Sequence, residues 1–313
     1  MDKIICIAGP TASGKTDLSV ALAEALDGEI VSCDSMQLYR GMDVGTAKPT
    51  EAERRGIVHH LLDVADPAEP FSVGRYVAMA DPILQDVLRR GKTAIVVGGT
   101  GLYMDALMRG QSFAPCPATG AREALEQRAD REGTEALLAE LRTVDPETAA
   151  RLHPADRKRI LRALEIYYET GETMTEHDRK TRLLPPRYSP RWLGLWYSDR
   201  SQLYGRIDRR VDLMLENGLL DEVRRLLDDG VPPTATAMQA IGYKEFAAAL
   251  RGECTVEEAA DAVKQGSRRY AKRQMTWFRR NPDIFWIDRT AFPKNDEVFL
   301  QARQQLGDFD SRP

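Results

Sequence analysis

The sequence predicts an α/β fold in which a parallel β-sheet core carries a separate helical insertion. Three short apolar, β-branched runs at residues 4–8, 29–33 and 93–97 have the pattern of buried strands. Each run is followed by a loop of glycine or polar residues, and helical patterns lie between them. Residues 118 to about 182 are densely charged and show no strand pattern. Strands that alternate with helices favour a parallel sheet, and the strand-free stretch is the predicted insertion.

The loop after the first strand is a phosphate-binding motif. Residues 9–16 read Gly-Pro-Thr-Ala-Ser-Gly-Lys-Thr and match G-x-x-x-x-G-K-[ST], the P-loop pattern. With a strand before it and a helix after it, this loop directs backbone N–H groups and a helix N-terminus toward an anion. The core is therefore predicted to be P-loop NTPase-like, and the hydroxyl of Thr16 is a candidate Mg²⁺ ligand. The residues predicted to bind phosphate or pyrophosphate are Gly9, Thr11, Ala12, Ser13, Gly14, Lys15 and Thr16.

Two further loops, residues 34–37 and 98–101, follow the second and third predicted strands. Ligands bind beyond the carboxyl ends of parallel strands, so we expect these loops to converge on the P-loop. Asp34 is a candidate general base; the alternative is that it holds a Mg²⁺-bound water or the P-loop backbone. The third strand ends in glycine where ordinary P-loop NTPases carry an acidic residue for Mg²⁺, which counts against an ATPase motor.

The bulk composition limits the function classes. The 313 residues carry a formal net charge of −4, so any binding of nucleic acid must come from local basic patches. The four cysteines are widely spaced and form neither a zinc signature nor a disulfide framework. The chain enters its first strand at once and no apolar run approaches the length of a membrane span, so we expect a cytoplasmic protein. For His59, His60 and Asp63 we favour packing and hydrogen bonding over metal binding.

Two predicted helices are basic. One covers residues 157–170, inside the insertion, and the other runs from a capping box at Thr255 to about residue 280. Residues 264–280 contain seven basic residues and no acidic one, beside aromatic residues, which favours contact with a phosphate backbone. Composition shifts place the core in residues 1–113 and 191–313 and the helical insertion domain in residues 114–190.

Several motifs closely resemble those of the bacterial tRNA dimethylallyltransferases. Besides the P-loop they are Asp-Ser-Met-Gln-Leu-Tyr at 34–39, Gly-Thr-Ala-Lys-Pro at 45–49, Gly-Gly-Thr-Gly-Leu-Tyr at 98–103 and Lys-Arg-Gln-Met-Thr-Trp-Phe at 272–278. The resemblance covers essentially the whole chain and keeps the order of the motifs. It implies transfer of a dimethylallyl group from dimethylallyl diphosphate, with Mg²⁺, to N6 of the adenosine 3′-adjacent to the anticodon in tRNAs reading UNN codons.

The resemblance also implies roles for individual residues. Thr100 and Arg206 would join Asp34 as catalytic residues, and the insertion would contact the anticodon arm. The basic run at 268–280 would touch the stem backbone or line the diphosphate entrance. The residues expected to bind tRNA are Asp34, Ser35, Met36, Gln37, Thr100, Arg122, Lys158, Arg159, Ile160, Leu161 and Arg162.

Two other functions are compatible with the P-loop. A small-molecule kinase would use Asp34 to activate a hydroxyl and would need ATP. A non-enzymatic RNA-binding protein would use the P-loop as a nucleotide switch and would tolerate loss of Asp34. We expect a monomer without an obligate protein partner.

Overall fold

The computed structural model describes residues 3–111, 119–183 and 185–307. The chain divides into two compact units. The first comprises residues 1–110 and 187–313, and the second comprises residues 111–186. The domain boundary predicted at residues 113 and 114 lies outside the described residues.

The first unit contains a six-stranded parallel sheet. Its strands in chain order are β1 (Ile4–Ala8), β2 (Gly28–Ser32), β3 (His59–His60), β4 (Thr93–Val97), β5 (Arg191–Trp196) and β6 (Phe285–Asp288). Across the sheet the order is β3-β2-β4-β1-β5-β6, and every neighbouring pair is parallel. The predicted α/β class with a parallel, P-loop-like core is thus confirmed. The chain reverses its direction across the sheet at β1, so the loop after β1 lies at the switch point where α/β proteins bind ligands.

The helices within the described residues are, in chain order, α1 (Lys15–Ala25), α2 (Glu51–Arg54), α3 (Val73–Arg89), α4 (Gly101–Arg109), α5 (Ala121–Glu132), α6 (Thr134–Val144), α7 (Pro146–Ala149), α8 (Arg157–Thr170), α9 (Met174–Leu183), α10 (Arg200–Glu216), α11 (Leu219–Asp228), α12 (Tyr243–Leu250), α13 (Val256–Phe278) and α14 (Asn295–Leu306). Helices α5 to α9 belong to the second unit and the others to the first.

Two hydrophobic cores cover the two faces of the sheet. Along β1, Ile4 and Cys6 belong to one core while Ile5 and Ile7 belong to the other, and all four are fully buried. This alternation follows from the two-residue period of a strand. Burial on both faces explains why the strand reads as a continuous apolar run. The sheet therefore gives the P-loop a rigid base.

The second unit is helical throughout its described residues. Leu125, Leu137, Leu141 and Leu164, from α5, α6 and α8, form its core. The buried carboxylate of Asp145 accepts hydrogen bonds from the backbone N–H groups at positions 148 and 175, which links α7 to α9. This unit thus has a hydrophobic core of its own.

The structure differs from the sequence predictions outside the central strands of the sheet. The chain leaves the sheet after His60, because Leu61 and Asp63 adopt the left-handed conformation, with φ of 61° and 57°. Helices α11 and α12 were not predicted. Near the end of the described chain, α14 begins at Asn295 and buries Val298 and Ala302 in the core. Among the described residues, no helix is both long and apolar enough to cross a membrane.

Candidate functional site

A cavity of about 640 Å³ lies beyond the strands at the switch point. We call it the phosphate cavity. Its lining combines P-loop residues 11–17 with Asp34 after β2, Gly98 and Gly99 after β4, and two arginines of α10. The three loops that the sequence predicted to converge therefore line one cavity in the structure.

The P-loop wraps around its own lysine. Lys15 Nζ donates to the carbonyl oxygens of Gly9, at 2.9 Å, and Pro10, at 2.7 Å. Gly14 immediately before α1 has φ of 90°, a conformation that L residues with a Cβ rarely adopt. The Ser13 hydroxyl is buried and has no protein partner. The loop thus presents an unused donor beside a helix N-terminus, which is the arrangement that binds phosphate.

Three cationic side chains meet at this loop. On α10, Arg206 Nε donates to the carbonyl of Ala12 at 2.9 Å, and Arg210 Nη1 donates to Thr11 Oγ1 at 3.4 Å. Burial, and then the charge of Arg210, lower the pKa of Lys15 to about 7, against an opposing effect of the Asp34 carboxylate. Burial and the neighbouring Arg206 likewise lower the pKa of Arg210. Both shifts show positive charge that a bound polyanion would relieve.

Helix α13 packs directly against the P-loop and the glycine loop after β4. Gln274 Oε1 accepts the N–H of Thr11 at 2.9 Å, and Gln274 Nε2 donates to the carbonyl of Gly99 at 3.0 Å. A Cβ on Gly99 would lie 2.1 Å from Gln274 Nε2, and one on Gly101 would lie 2.2 Å from Trp277 Cδ1. The glycines are therefore required by the close approach of α13. At Gly98, the position where ordinary P-loop NTPases carry the acidic residue, a Cβ would collide with the backbone carbonyl of Cys33, so no acidic side chain fits there.

A second cavity of about 290 Å³ shares a wall with the first. We call it the adjoining cavity. Its lining is largely apolar, with Ile207, Val211, Ile241 and Tyr243 among its residues, and Asp34 lines both cavities. Asp34 is therefore placed where ligands in the two cavities would meet.

Backbone contacts fix the orientation of the Asp34 loop. Asp34 Oδ1 accepts the N–H of Met36 at 2.9 Å, which leaves Oδ2 for a ligand. Thr100 Oγ1 accepts the N–H of Ser35 at 3.0 Å, so the loops after β2 and β4 are joined. Burial, and then the charge of Asp34, raise the pKa of Tyr270 to about 12. At neutral pH Tyr270 thus keeps its proton and can donate a hydrogen bond in this region.

The remaining predicted tRNA-binding residues lie in the second unit. Arg122 and Arg162 each bind the carboxylate of Glu165 at 3.1 Å. Lys158 and Arg159 are exposed at the start of α8. The side chains of Ile160 and Leu161 are buried in the core of the unit, and the backbone N–H of Ile160 donates to the carbonyl of Asp156.

The histidine pair makes local hydrogen bonds. His59 Nδ1 lies 2.9 Å from the carbonyl of Ile57, and His60 Nε2 lies 2.9 Å from Glu29 Oε2. Asp63 pairs with Lys48. In the part of the chain that the structure describes, no cluster of three or more histidine, cysteine or acidic residues could hold a metal ion. Thr16, the predicted Mg²⁺ ligand, lines the phosphate cavity.

The basic run of α13 divides between several environments. Lys264 pairs with Asp212 at 2.6 Å, and Arg268 pairs with Asp208, so these two charges are balanced by α10. Arg273 lines the adjoining cavity. Lys272 lies on the other side of α13, in a small cleft beside Trp196. The run therefore does not form one continuous basic face.

Sequence reasoning missed three residues of the site: Arg210, Tyr270 and Gln274. Arg210 lies four positions after Arg206 and so shares its helix face, which was a usable signal. Tyr270 and Gln274 are four positions apart and share one face of the basic helix α13. Nothing in the sequence showed that this face would contact the P-loop.

Comparison with known families gives two matches. The sequence profile of a family described as IPP transferase matches residues 37–281, and one described as isopentenyl transferase matches residues 2–66.

Curated relatives span nearly the full chain. The tRNA dimethylallyltransferase of Acetivibrio thermocellus is 43% identical over 310 residues, 99% of each chain. That of Geobacillus thermodenitrificans is 48% identical over 292 residues, covering 92% of this chain and 91% of its own.

Solved structures agree with these relatives. The full-length tRNA isopentenylpyrophosphate transferase of Bacillus halodurans superposes with a TM-score of 0.72 at 41% identity, covering 99% of both chains. A eukaryotic dimethylallyltransferase acting on tRNA gives a TM-score of 0.83 at 31% identity, covering 100% of this chain and 81% of its own.

Proposed function

The chain belongs to the IPP transferase family, and we propose that it transfers the dimethylallyl group of dimethylallyl diphosphate to an adenosine of tRNA. The acceptor is N6 of the adenosine 3′-adjacent to the anticodon in tRNAs that read UNN codons. One observation carries the proposal: Asp34 lines both the phosphate cavity, where Lys15 and two arginines meet at the P-loop, and the adjoining, largely apolar cavity. A diphosphate ester and a nucleobase need such a pair of sites.

The donor would bind with its diphosphate in the phosphate cavity. Lys15, Arg206, Arg210 and the unpartnered hydroxyl of Ser13 would surround the phosphate oxygens. As the allylic C–O bond breaks, its electron pair goes to the diphosphate, so negative charge grows where these donors already point. Preorganised donors of this kind stabilise the transition state more than the ground state.

The acceptor amine would enter through the adjoining cavity. An adenine amine is a weak nucleophile, because its lone pair is delocalised into the ring, and it must lose a proton as the new N–C bond forms. Asp34 Oδ2 would accept that proton, a contribution of typically ~10²–10⁴-fold. Thr100 would hold the Asp34 loop through its bond to the N–H of Ser35.

Mg²⁺ fits the donor set of the phosphate cavity. This ion keeps several waters and binds through one or two protein oxygens together with phosphate oxygens. Thr16 would supply one protein oxygen from within the cavity. Bound there, the ion would neutralise charge on the diphosphate leaving group.

The tRNA would be held by residues of both units. In the first unit Ser35, Met36 and Gln37 would contact the flipped nucleotide and its neighbours, since they follow Asp34 along the chain. A single-stranded anticodon loop lowers the cost of taking the base out of its stack. The second unit would grip the anticodon arm through Arg122 and residues 158–162 at the start of α8, where Lys158 and Arg159 are exposed.

A single-turnover assay tests the proposal. It combines the protein with labelled dimethylallyl diphosphate, an anticodon stem-loop with adenosine 3′ of the anticodon, and Mg²⁺, without ATP. We expect label on the adenosine N6, and a loss of ~10²-fold or more in Asp34→Ala. Transfer that survives in Asp34→Ala would keep the reaction but assign the base elsewhere. Failure of the wild type without ATP would overturn the reaction and favour a kinase.

A further inference from the structure

One loop of the first unit borders both cavities. Residues 43–48 connect the Asp34 segment to α2, and Thr46 and Ala47 line the phosphate cavity and the adjoining cavity alike. We call residues 43–48 the dividing loop. Its position relative to Asp34 therefore sets the space in which the donor carbon and the acceptor amine must meet.

A buried carboxylate holds the first half of this loop. Glu222 of α11 is 4% exposed, and its Oε2 accepts the N–H groups of Asp43 and Val44, both at 2.8 Å. Its Oε1 accepts the N–H of Gly45 at 3.0 Å and the hydroxyl of Tyr243 at 2.6 Å. Three successive backbone N–H groups thus converge on one carboxylate. Since all three are donors, only a side chain whose two polar atoms both accept hydrogen bonds can satisfy them.

Side-chain packing makes this anchoring specific to the observed loop position. Gly45 lies against the ring of Tyr243, where a Cβ would come within 2.6 Å of the ring. The second half of the loop is held separately, since Gln37 Nε2 donates to the carbonyls of Thr46 and Ala47 at 3.1 Å each. Glu222 lines neither cavity. Any effect of Glu222 on the reaction must therefore pass through the loop or through Tyr243, which it binds and which packs against Gly45 of the loop.

We propose that Glu222 is a positioning residue for the transfer reaction, which fixes the dividing loop so that the two substrates meet at Asp34. This inference rests on the proposed function. A small misplacement of reacting groups is costly, because rate depends steeply on near-attack geometry. Diphosphate binding, by contrast, relies on donors of the P-loop and of α10, whereas the hydrogen bonds of Glu222 go to the dividing loop and to Tyr243.

Glu222→Gln is the direct test. The amide keeps the shape of the side chain, but one of its two acceptor oxygens becomes an NH₂ donor that faces other N–H or O–H donors. The matched control is Asp221→Asn, one residue earlier on the exposed side of α11, where the carboxylate pairs with Arg224. Single-turnover transfer is measured at saturating donor and stem-loop, with its rate constant and amplitude recorded separately. Binding of inorganic pyrophosphate with Mg²⁺ is measured in parallel.

We expect Glu222→Gln to lower the rate constant by ~10²-fold while the amplitude and the pyrophosphate affinity stay at the wild-type level. Asp221→Asn should match the wild type throughout. Tyr243→Phe removes one of the four hydrogen bonds to Glu222 and should lower the rate constant by a smaller factor. It is the variant to test if Glu222→Gln fails to fold.

Two results would overturn the inference. One is an unchanged rate constant in Glu222→Gln, or in Tyr243→Phe where only that variant folds. The other is a fall in amplitude alone, matched by fewer pyrophosphate sites, because this is what a purely structural role produces. A wild type that transfers nothing would instead refute the proposed function.

Discussion

Binding of diphosphate should draw a proton onto Lys15. In the free protein, burial and Arg210 lower the pKa of Lys15 to about 7. A diphosphate held beside Nζ favours the charged form and restores a high pKa. Binding above pH 7 must therefore take up a proton, and the affinity for diphosphate must fall as the pH rises.

The size of the uptake follows from the pKa. With a free-state pKa of about 7, Lys15 is roughly half protonated at pH 7 and only about one-tenth protonated at pH 8. If the bound form is fully protonated, Lys15 contributes an uptake of about 0.5 proton at pH 7 and about 0.9 at pH 8. The affinity should then fall by close to tenfold between pH 8 and pH 9 from this group alone.

Isothermal titration calorimetry of pyrophosphate with Mg²⁺, in buffers of different ionisation enthalpy, measures the uptake. Lys15→Arg is the control, because a guanidinium stays protonated throughout this range and takes up no proton. Subtracting its uptake removes the protons that the ligand itself exchanges. Equal uptake by wild type and Lys15→Arg at pH 8 would refute the reasoning, since it would show that Lys15 is already charged in the free protein.

Three further predictions concern stability. Gln274→Leu should leave the part-buried N–H of Thr11 and the buried carbonyl of Gly99 unpaired and lower the free energy of unfolding by about 2–4 kcal/mol, read from urea denaturation; an unchanged midpoint would contradict the bridging role. Gly101→Ala should destabilise by about 1–3 kcal/mol, since its methyl would collide with Trp277. The matched Gly205→Ala, in open space on α10, should stabilise by about 0.5–1 kcal/mol. Arginine and histidine partners lower the pKa of Glu29 to about 2, so the stability it contributes is full above pH 4.5 and is lost as the pH falls toward 2. Glu29→Gln should flatten that part of the pH–stability curve.

The parts of the fold that the sequence predicted are those with a local signal. The P-loop, the three buried strands before residue 100 and the capping box at Thr255 each depend on residues close together in the chain. Helix α12 has only eight residues, fewer than the window of roughly 11–18 over which a helical period is read from a sequence. The end of β3 depends on two left-handed residues, Leu61 and Asp63, and a leucine gives no signal for that conformation.

The candidate site was predictable only where one segment contains the whole motif. Asp34 and the P-loop were found because each directly follows a strand. Gln274 and Glu222 act over sequence separations of 175 or more residues, through contacts that tertiary packing creates. A glutamine or glutamate on an amphipathic helix gives no local sign that its partners are backbone groups of distant loops.

The glycines after β4 connect the fold to the chemistry. In P-loop NTPases this position holds an acidic Mg²⁺ ligand, which helps to transfer a phosphoryl group. Here that position is Gly98, where a Cβ would collide with the backbone carbonyl of Cys33, so the loop after β2 leaves no space for an acidic side chain. Helix α13 lies against the next glycine, and its Gln274 joins Thr11 of the P-loop to the carbonyl of Gly99. An uncharged amide beside the P-loop suits a reaction in which the diphosphate leaves intact, since the bond that breaks lies between carbon and oxygen. Tyr270, one turn earlier on α13, lines both cavities beside Asp34. Helix α13 thus helps to build the wall at which a carbon electrophile and an amine can meet.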